Sequence, residues 1–322
     1  MRRLFLTGAL LYGMAACALA QNASQPLTFV VPYPAGGPLD ASAKLLAEGA
    51  KSALGSITVA NKPGAGGATG AALIAQAKPG ENLVVMGAVA THAILPWLSK
   101  LPYDAQKDFK PLILVARVPN VLVMTKARAQ ALNLKSTADV VAYLKAHPNG
   151  LSMGSGGHGS IGHIAGEMLK TLANLQMNNR PYAGAAPAQK ALLGGEVDLV
   201  FDNLASALPL IKSGELVALS VTTPDRNIAL PHVRSVNEEV PGFDVATWFG
   251  VFAPASLPDA DAKRYALAFQ DALTDPRFKG EYQKMGIAPE DMRLQELAQY
   301  VKQEGRKYQF LIKATRIQAQ AN

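Results

Sequence analysis

Four glycine-rich segments of this 322-residue chain each lie between a predicted strand and a predicted helix. They read VPYPAGGPLD (31–40), NKPGAGGATG (61–70), GSGGHGSIG (154–162) and PYAGAAP (181–187). A repeated order of strand, bare turn and helix is typical of a parallel or mixed sheet that helices cover on both faces. The sequence therefore predicts an α/β fold.

The same turns indicate a function. Glycine lets a ligand approach the main chain closely, and the helix that follows offers unpaired N–H groups and the positive end of its dipole. Both features attract a carboxylate or a phosphate. Turns after parallel strands share the ligand-binding edge of a sheet, so the four together predict an anion-binding cleft. Each alone also fits an ordinary βα connection, with Asp40 as a helix N-cap.

The chain divides into two predicted lobes. Residues 26–118 form the first part of lobe 1, and the strand–helix pattern starts again in lobe 2, residues 119–241. Between them, LILVARVPNVLVMTK (112–126) consists of two apolar runs split by RVPN (117–120). VATWFGVFAP (245–254) is predicted to be a return strand within residues 242–322, which return to lobe 1 and end in helices. Two crossovers predict a hinge.

Residues 1–20 have the pattern of an export signal. Arg2 and Arg3 precede an apolar stretch, and the small residues of Ala18-Leu19-Ala20 predict a cleavable signal peptide cut near Ala20, hence a periplasmic protein. Sec and twin-arginine export both fit the arginine pair. Lipidation of Cys17 is the weaker interpretation, because Met14 is an uncommon start for a lipobox. Without Cys17 the mature chain has no cysteine, which excludes disulfides and thiol nucleophiles.

The charge of the chain argues against nucleic-acid binding. Its net charge of +7 falls to +5 without the two leader arginines, and its basic residues are spread among few aromatics. A small anionic ligand fits better. No segment after the leader is long and apolar enough to span a bilayer.

Motifs for enzymes and cofactors are incomplete. Residues 154–159 match GxGxxG, but no acidic residue follows about twenty positions later to hold a ribose. The chain has no nucleoside-triphosphate P-loop, and neither Ser155 nor Ser160 stands in a GxSxG elbow. Asp198 and Asp202 alternate with apolar residues as edge-facing strand residues do, with nothing to pair them as acid and base.

A metal site is not expected. His158, His163 and Glu167 are close in sequence, but a metal centre needs three ligands with supporting partners. No cofactor is predicted.

Six blocks follow one another along nearly the whole mature sequence: VPYPAGGPLD, NKPGAGGATGA, LPYDAQKDFKPLILVARVPNVLVM, GSGGHGSIGHIAGE, PYAGAAPAQKALLGGEVDLVFDN and WFGVFAPASLP. In this order they resemble the Bug family, the extracytoplasmic receptors of tripartite tricarboxylate transporters. The resemblance implies a two-lobed periplasmic binding protein of type II, with two βα domains joined by a two-crossover hinge. It also implies closure on a small mono- or dicarboxylate, and membrane subunits of such a transporter as partners.

The resemblance further implies that turns of both lobes hold the ligand, partly through water. The implied ligand-binding residues are Tyr33, Ala35, Gly36, Gly37, Asp40, Gly66, Gly67, Thr69, Thr91, Ser155, Gly156, His158, Ser160, Ala183, Gly184 and Asp202. The protein is expected to be a monomer without enzyme activity. An orphan receptor for signalling is the alternative among binding proteins, and an α/β enzyme is the alternative from another class.

Four residues keep open interpretations. The ring of Tyr33 either covers a ligand or fills the lobe interface. Trp248 fits core or hinge packing. Arg180 is either a second positive anchor or a solvated strand end, and the strand end is favoured. Lys44 stands where an arginine is frequent in the Bug family, which puts a structural ion pair there in doubt.

Overall fold

The structure is a computed structural model that describes residues 26–285, 287–315 and 317. The predicted signal peptide, its cleavage near Ala20 and Cys17 lie outside these residues. The strands are β1 (Leu27–Val31), β2 (Ile57–Asn61), β3 (Leu83–Ala88), β4 (Phe109–Thr125), β5 (Ser152–Ser155), β6 (Asn178–Pro181), β7 (Leu199–Asn203), β8 (Leu216–Val221), β9 (Ala246–Pro254) and β10 (Ala288–Arg293).

The helices alternate with the strands through most of the chain. They are α1 (Pro38–Leu54), α2 (Ala68–Ala75), α3 (Leu95–Leu98), α4 (Lys126–Leu132), α5 (Thr137–Ala146), α6 (Ile161–Ala173), α7 (Ala185–Leu193), α8 (Leu204–Ser213), α9 (Val236–Glu239), α10 (Asp259–Thr274), α11 (Pro276–Lys284) and α12 (Leu294–Ala314). No helix in the described ranges combines the length and the hydropathy needed to cross a membrane.

The described strands form two sheets that share β4. The first has the order β2-β1-β3-β9-β4-β10 and the second has the order β6-β5-β7-β4-β8. β1 runs parallel to β2 and β3, and β5 runs parallel to β6 and β7, whereas β9 is antiparallel to its neighbours. The predicted α/β fold with mixed sheets is confirmed.

β4 passes from one sheet to the other without a break. It pairs with β9 as far as Pro119, opposite Ala246, and with β7 from Asn120, opposite Asn203. The two apolar runs of the sequence are therefore one strand. Pro119 has no N–H to donate and lies where the strand changes partner, a position that tolerates proline. The lobe boundaries at 118/119 and 241/242 stay predictions.

Buried polar groups join the two crossing segments. Asn120 is 1% exposed, its N–H donates to Thr222 Oγ1 (2.9 Å), and its carbonyl accepts from the Thr222 N–H (2.9 Å). The Thr247 hydroxyl, on the returning strand, donates to Asn120 Oδ1 (2.7 Å). Buried polar groups cost free energy unless they are hydrogen-bonded. These bonds therefore hold the two crossing segments, at Asn120 and Thr247, next to each other.

The C-terminal region departs from the sequence-based prediction of helices alone. It also contains β10, whose sequence APEDMR has little strand character. β10 forms because it pairs with the edge of β4, where Arg117 Nε donates to Glu290 Oε1 (2.8 Å). Trp248 is fully buried, in agreement with core packing, and its Nε1 donates to Glu304 Oε2 (3.0 Å).

Candidate functional site

The carboxyl ends of β3 and β7, one from each sheet, point toward each other along β4. Ala88, the last residue of β3, pairs with Phe249, which also pairs with Ala116 of β4. Asn203, the last residue of β7, pairs with Asn120. Four residues of strand span about 13 Å, so the turns that follow β1–β3 and β5–β7 are close enough to share a cleft.

The turns after β1 and β2 contact each other. Tyr33 Oη donates to the Gly66 carbonyl (3.4 Å). Gly67 has φ +102°, and a Cβ there would lie 2.7 Å from Thr91 Cγ2 and 3.0 Å from Tyr33 Oη. Glycine is therefore required at position 67. The Tyr33 ring is half-buried against the second turn of its own sheet.

Asp40 is not the N-cap of α1, so that prediction is wrong. Gly37 occupies the N-cap and Pro38 the first helical position, which places Asp40 third. The buried Asp40 carboxylate accepts hydrogen bonds from the Gly36 N–H (2.8 Å), Asn61 Nδ2 (3.0 Å) and Lys44 Nζ (2.7 Å). Burial favours a higher pKa for Asp40, but these donors outweigh it and lower the pKa. Asp40 holds the turn from within, and Lys44 does form the ion pair.

Thr91 is buried beneath the same turns. Its hydroxyl accepts from the Ala88 N–H (3.0 Å) and lies 2.8 Å from His92 Nδ1. His92 stacks on Phe252 with ring centroids 4.0 Å apart, and burial lowers the pKa of His92 to about 3. The Thr91 hydroxyl is therefore used internally, while Thr69, in the first turn of α2, is exposed.

The turns after β5 and β6 also contact each other. A Cβ at Gly156 would lie 3.3 Å from the Ala185 nitrogen. Ala183 is exposed beside Gly184, the N-cap of α7, and Ser160 caps α6 by accepting from the His163 N–H (3.3 Å). These residues form a second pair of turns opposite the first.

Two buried polar atoms in this pair of turns have no hydrogen-bond partner among the described residues. They are the Ser155 hydroxyl oxygen and His158 Nε2. By contrast, His163 Nδ1 accepts from the Gly159 N–H (3.2 Å), and burial lowers the pKa of His163 to about 4. Ser155 and His158 therefore have hydrogen-bonding capacity left. Because unpaired buried groups are costly, a ligand or a water is expected to use it.

Asp202 is the last residue but one of β7 and is 2% exposed. Burial raises its pKa to about 7, although Gln189 Nε2 and the Asn203 N–H donate to its carboxylate (both 2.8 Å). β7 lies between β5 and β4, so the prediction of an edge-facing aspartate is wrong. The side chain of Arg180 is 60% exposed and 3.4 Å from Glu196, as expected for a solvated strand end.

Leu95, which the sequence analysis did not single out, touches turns of both sheets. A Cβ at Gly66 would lie 3.4 Å from Leu95 Cδ1, and a Cβ at Gly159 would lie 3.0 Å from Leu95 Cδ2. In the sequence, Leu95 is one apolar residue among many. Its place between the turns follows from the tertiary structure alone.

Three of the helices that start at the cleft lack a side-chain cap. α1, α2 and α7 have a glycine N-cap without a side-chain cap, and α2 and α7 also lack an acidic residue in their first turn. Elsewhere, side-chain oxygens of Thr125, Ser136, Ser235 and Asp275 cap α4, α5, α9 and α11. The first N–H groups of α2 and α7 therefore have no side-chain acceptor.

Two further cavities contain none of the predicted ligand residues. One of ≈ 480 Å³ lies beside α4, and one of ≈ 720 Å³ lies among α10, α11 and β10. The turns are the stronger candidate site, because they combine facing strand ends with uncapped helices.

The model of the TctC family, described as "Tripartite tricarboxylate transporter family receptor", matches residues 42–317. The chain belongs to the TctC family. This TctC-family chain is similar to Rpa4515 of R. palustris, solved with adipate: 30% identical, covering 92% of this chain and 99% of that one, with a TM-score of 0.83.

Two other solved structures are similar to the TctC-family chain. The periplasmic binding protein BugD is 30% identical over 92% of this chain and 99% of its own, with a TM-score of 0.84. MatC from Rhodopseudomonas palustris, solved with bound malate, is 29% identical over 89% and 98%, with a TM-score of 0.81. The predicted Bug resemblance and the two-lobed periplasmic-binding-protein fold are confirmed, and the family is one of periplasmic solute receptors.

Proposed function

We propose that this protein is a periplasmic receptor that captures a small mono- or dicarboxylate and delivers it to the membrane subunits of a tripartite tricarboxylate transporter. One observation carries the proposal: α1, α2 and α7 start on glycine without a side-chain cap, and they follow strands of two different sheets, β1 and β2 in one and β6 in the other. Backbone N–H groups at helix N-termini bind carboxylates without any charged side chain.

The site residues divide into two groups in this proposal. The main chain of residues 35–37, 66–67 and 183–184 contacts the ligand, together with Thr69, the free hydroxyl of Ser155 and Nε2 of His158. Asp40 and Thr91 position the turns, since their polar atoms are already bonded within the protein.

Asp202 has a different role from these two groups, because its carboxyl group is partly protonated. With a pKa of about 7 it carries a proton in much of the population at neutral pH. A protonated carboxyl repels an anionic ligand less than a carboxylate does, and it offers an O–H donor.

The solved relatives support a ligand with two acidic ends. Adipate and malate, present in Rpa4515 and MatC, are both dicarboxylates. A molecule with a carboxylate at each end matches donors that lie on both sides of the cleft.

Thermal-shift and calorimetric titration test the proposal. The probes are malate, adipate and shorter monocarboxylates, and the matched control is the neutral diamide of each diacid. A true ligand at a hundred times its Kd stabilises the protein by about 2.7 kcal/mol. A flat response to all the acids, or equal binding of the diamides, would contradict carboxylate capture.

The export and transport parts need separate measurements. Mass spectrometry of the periplasmic fraction should find a chain that begins near Gln21. Uptake of the bound acid should require both this receptor and the membrane subunits. Binding without any effect on uptake would instead support the sensing role.

A further inference from the structure

The exposed side of α12 carries a stripe of cations around one aromatic ring. Lys302, Arg306 and Lys313 are exposed, and Phe310 is 71% exposed. At 3.6 residues per turn these four side chains fall within an arc of about 80°, over about 17 Å of helix. The buried residues of the same helix, among them Val301, Tyr308 and Ile312, lie on the opposite side.

The cations of the stripe have no ion-pair partner among the described residues. Elsewhere on the surface, pairs are common: Lys307 of the same helix pairs with Asp244 (3.1 Å) and Glu304 (3.6 Å). From Leu297 to Ala314 the helix contains one acidic residue, Glu304, and it is buried away from the stripe. The stripe is therefore a local concentration of positive charge that the protein leaves uncompensated.

Phe310 places an exposed aromatic ring among these cations, so the stripe offers an apolar group flanked by positive charge. Cationic side chains are attracted to anionic lipid headgroups, and an aromatic ring on the same surface can enter the boundary between headgroups and acyl chains. Each cation near such a surface contributes about 1 kcal/mol, or about fivefold in the partition coefficient.

We propose that the stripe of Lys302, Arg306, Phe310 and Lys313 docks this protein reversibly on an anionic phospholipid surface. Three cations account for a partition about 100-fold stronger on anionic than on neutral vesicles. Binding of this strength falls as salt rises, because the charges are fully exposed. The docking does not depend on the ligand of the cleft. It would keep a receptor beside the membrane in which a transporter sits.

Vesicle flotation tests the proposal with the chain from Gln21 onward, so that the apolar leader does not contribute. The vesicles are phosphatidylcholine alone or with 30 mol% phosphatidylglycerol. The wild-type chain should float with the anionic vesicles at low salt and remain behind with the neutral ones. The variant Lys302→Gln/Arg306→Gln/Lys313→Gln should lose about 100-fold in partition, and Phe310→Ala a few-fold.

The matched control removes the same charge elsewhere. Lys145→Gln/Lys212→Gln/Lys279→Gln changes three exposed lysines on α5, α8 and α11, and it should retain nearly all of the binding. Equal loss in both triple variants would reduce the effect to net charge and overturn the proposal. No wild-type flotation with anionic vesicles would also overturn it. If the wild type did not float but the α12 variant lost transporter-dependent uptake, the stripe would instead bind an acidic protein surface.

Discussion

Helices that begin at the cleft and helices that begin elsewhere treat their first N–H groups differently. α2 and α7 start on glycine with neither a side-chain cap nor an acidic first turn, whereas Ser136 caps α5 and Asp275 caps α11. α10 has no side-chain cap, yet its first turn contains Asp259 and Asp261. Away from the cleft, α4, α5, α9 and α11 have a side-chain cap and α10 and α12 have an acidic first turn instead, whereas α2 and α7 have neither.

The contrast is graded at the cleft itself. α1 starts on Gly37, but Asp40 reaches back to the Gly36 N–H. α6 and α8 start at the cleft and are capped by Ser160 and Asn203. The cleft therefore combines open donors with turns that are held rigid from within, and rigid donors are the ones that bind an anion without reorganising.

Filling an open helix start should have the largest effect. Gly37 has φ −82°, and a Cβ there would meet nothing closer than the Pro34 carbonyl at 4.0 Å. Gly37→Leu should therefore fold, with a stability loss of less than about 1 kcal/mol. Its binding of malate or adipate in calorimetry should weaken by at least about 100-fold, or about 2.7 kcal/mol.

The control for this variant is Gly280→Leu on α11, where a Cβ also meets nothing. It should bind as the wild type does. Undiminished affinity in Gly37→Leu would break the contrast between the two kinds of helix start. Gly67 is a poorer choice, because its positive φ and its contact with Thr91 would disturb folding as well as binding.

Loosening the held turn should cost less. Asp40→Asn replaces a carboxylate that faces three donors by an amide, and we expect a loss of about 2 kcal/mol in urea unfolding with weaker ligand binding. Lys44→Ala is the matched variant, because it removes the half-exposed ion pair alone and should cost well under 1 kcal/mol. Equal losses in the two would show that the ion pair, not the hydrogen bond to Gly36, holds the turn.

Asp202 sharpens the contrast through pH. Its folded pKa of about 7 lies above the value of 3.8 expected when unfolded, so the folded state binds more protons between these pH values. Its contribution to stability therefore falls as pH rises from about 4 to about 7. Asp202→Asn removes this pH dependence. From pH 5 to pH 8 the free energy of unfolding of the wild type should therefore fall by on the order of 2 kcal/mol relative to that of the variant. Parallel urea curves at the two pH values would refute the raised pKa.

Removing a cap away from the cleft should have the smallest effect. Ser136→Ala deletes the acceptor of the Asp139 N–H (3.2 Å) and should cost about 1 kcal/mol in stability with ligand affinity unchanged. Ser160→Ala makes the same change at the cleft and should lower affinity as well. Identical affinity in both variants would leave Ser160 with a structural role alone.

The sequence predicted well what local chemistry determines. The helix 137–146 and the return strand at 246–254 appear where the pattern placed them, and all four glycine-rich turns lie between a strand and a helix. The local sequence does contain the signal for the true N-cap of α1, since proline favours the first helical position and Pro38 in GGPLD therefore indicates Gly37.

Other features come from distant parts of the chain and leave little local signal. β10 exists because Arg117 and its neighbours offer an open strand edge. The raised pKa of Asp202 comes from burial between β5 and β4, and Leu95 touches both pairs of turns through packing. Such features depend on which segments meet, which hydrophobic periodicity does not specify.

The undivided 17-residue β4 has a consequence for modularity. Cutting the chain near Pro119 would deprive each half of a strand that its own sheet needs, so neither half should be obtainable as a stable fragment. Exchange of halves between relatives would likewise have to keep this strand whole. The protein is built as two βα units, but the strand they share makes it fold as one.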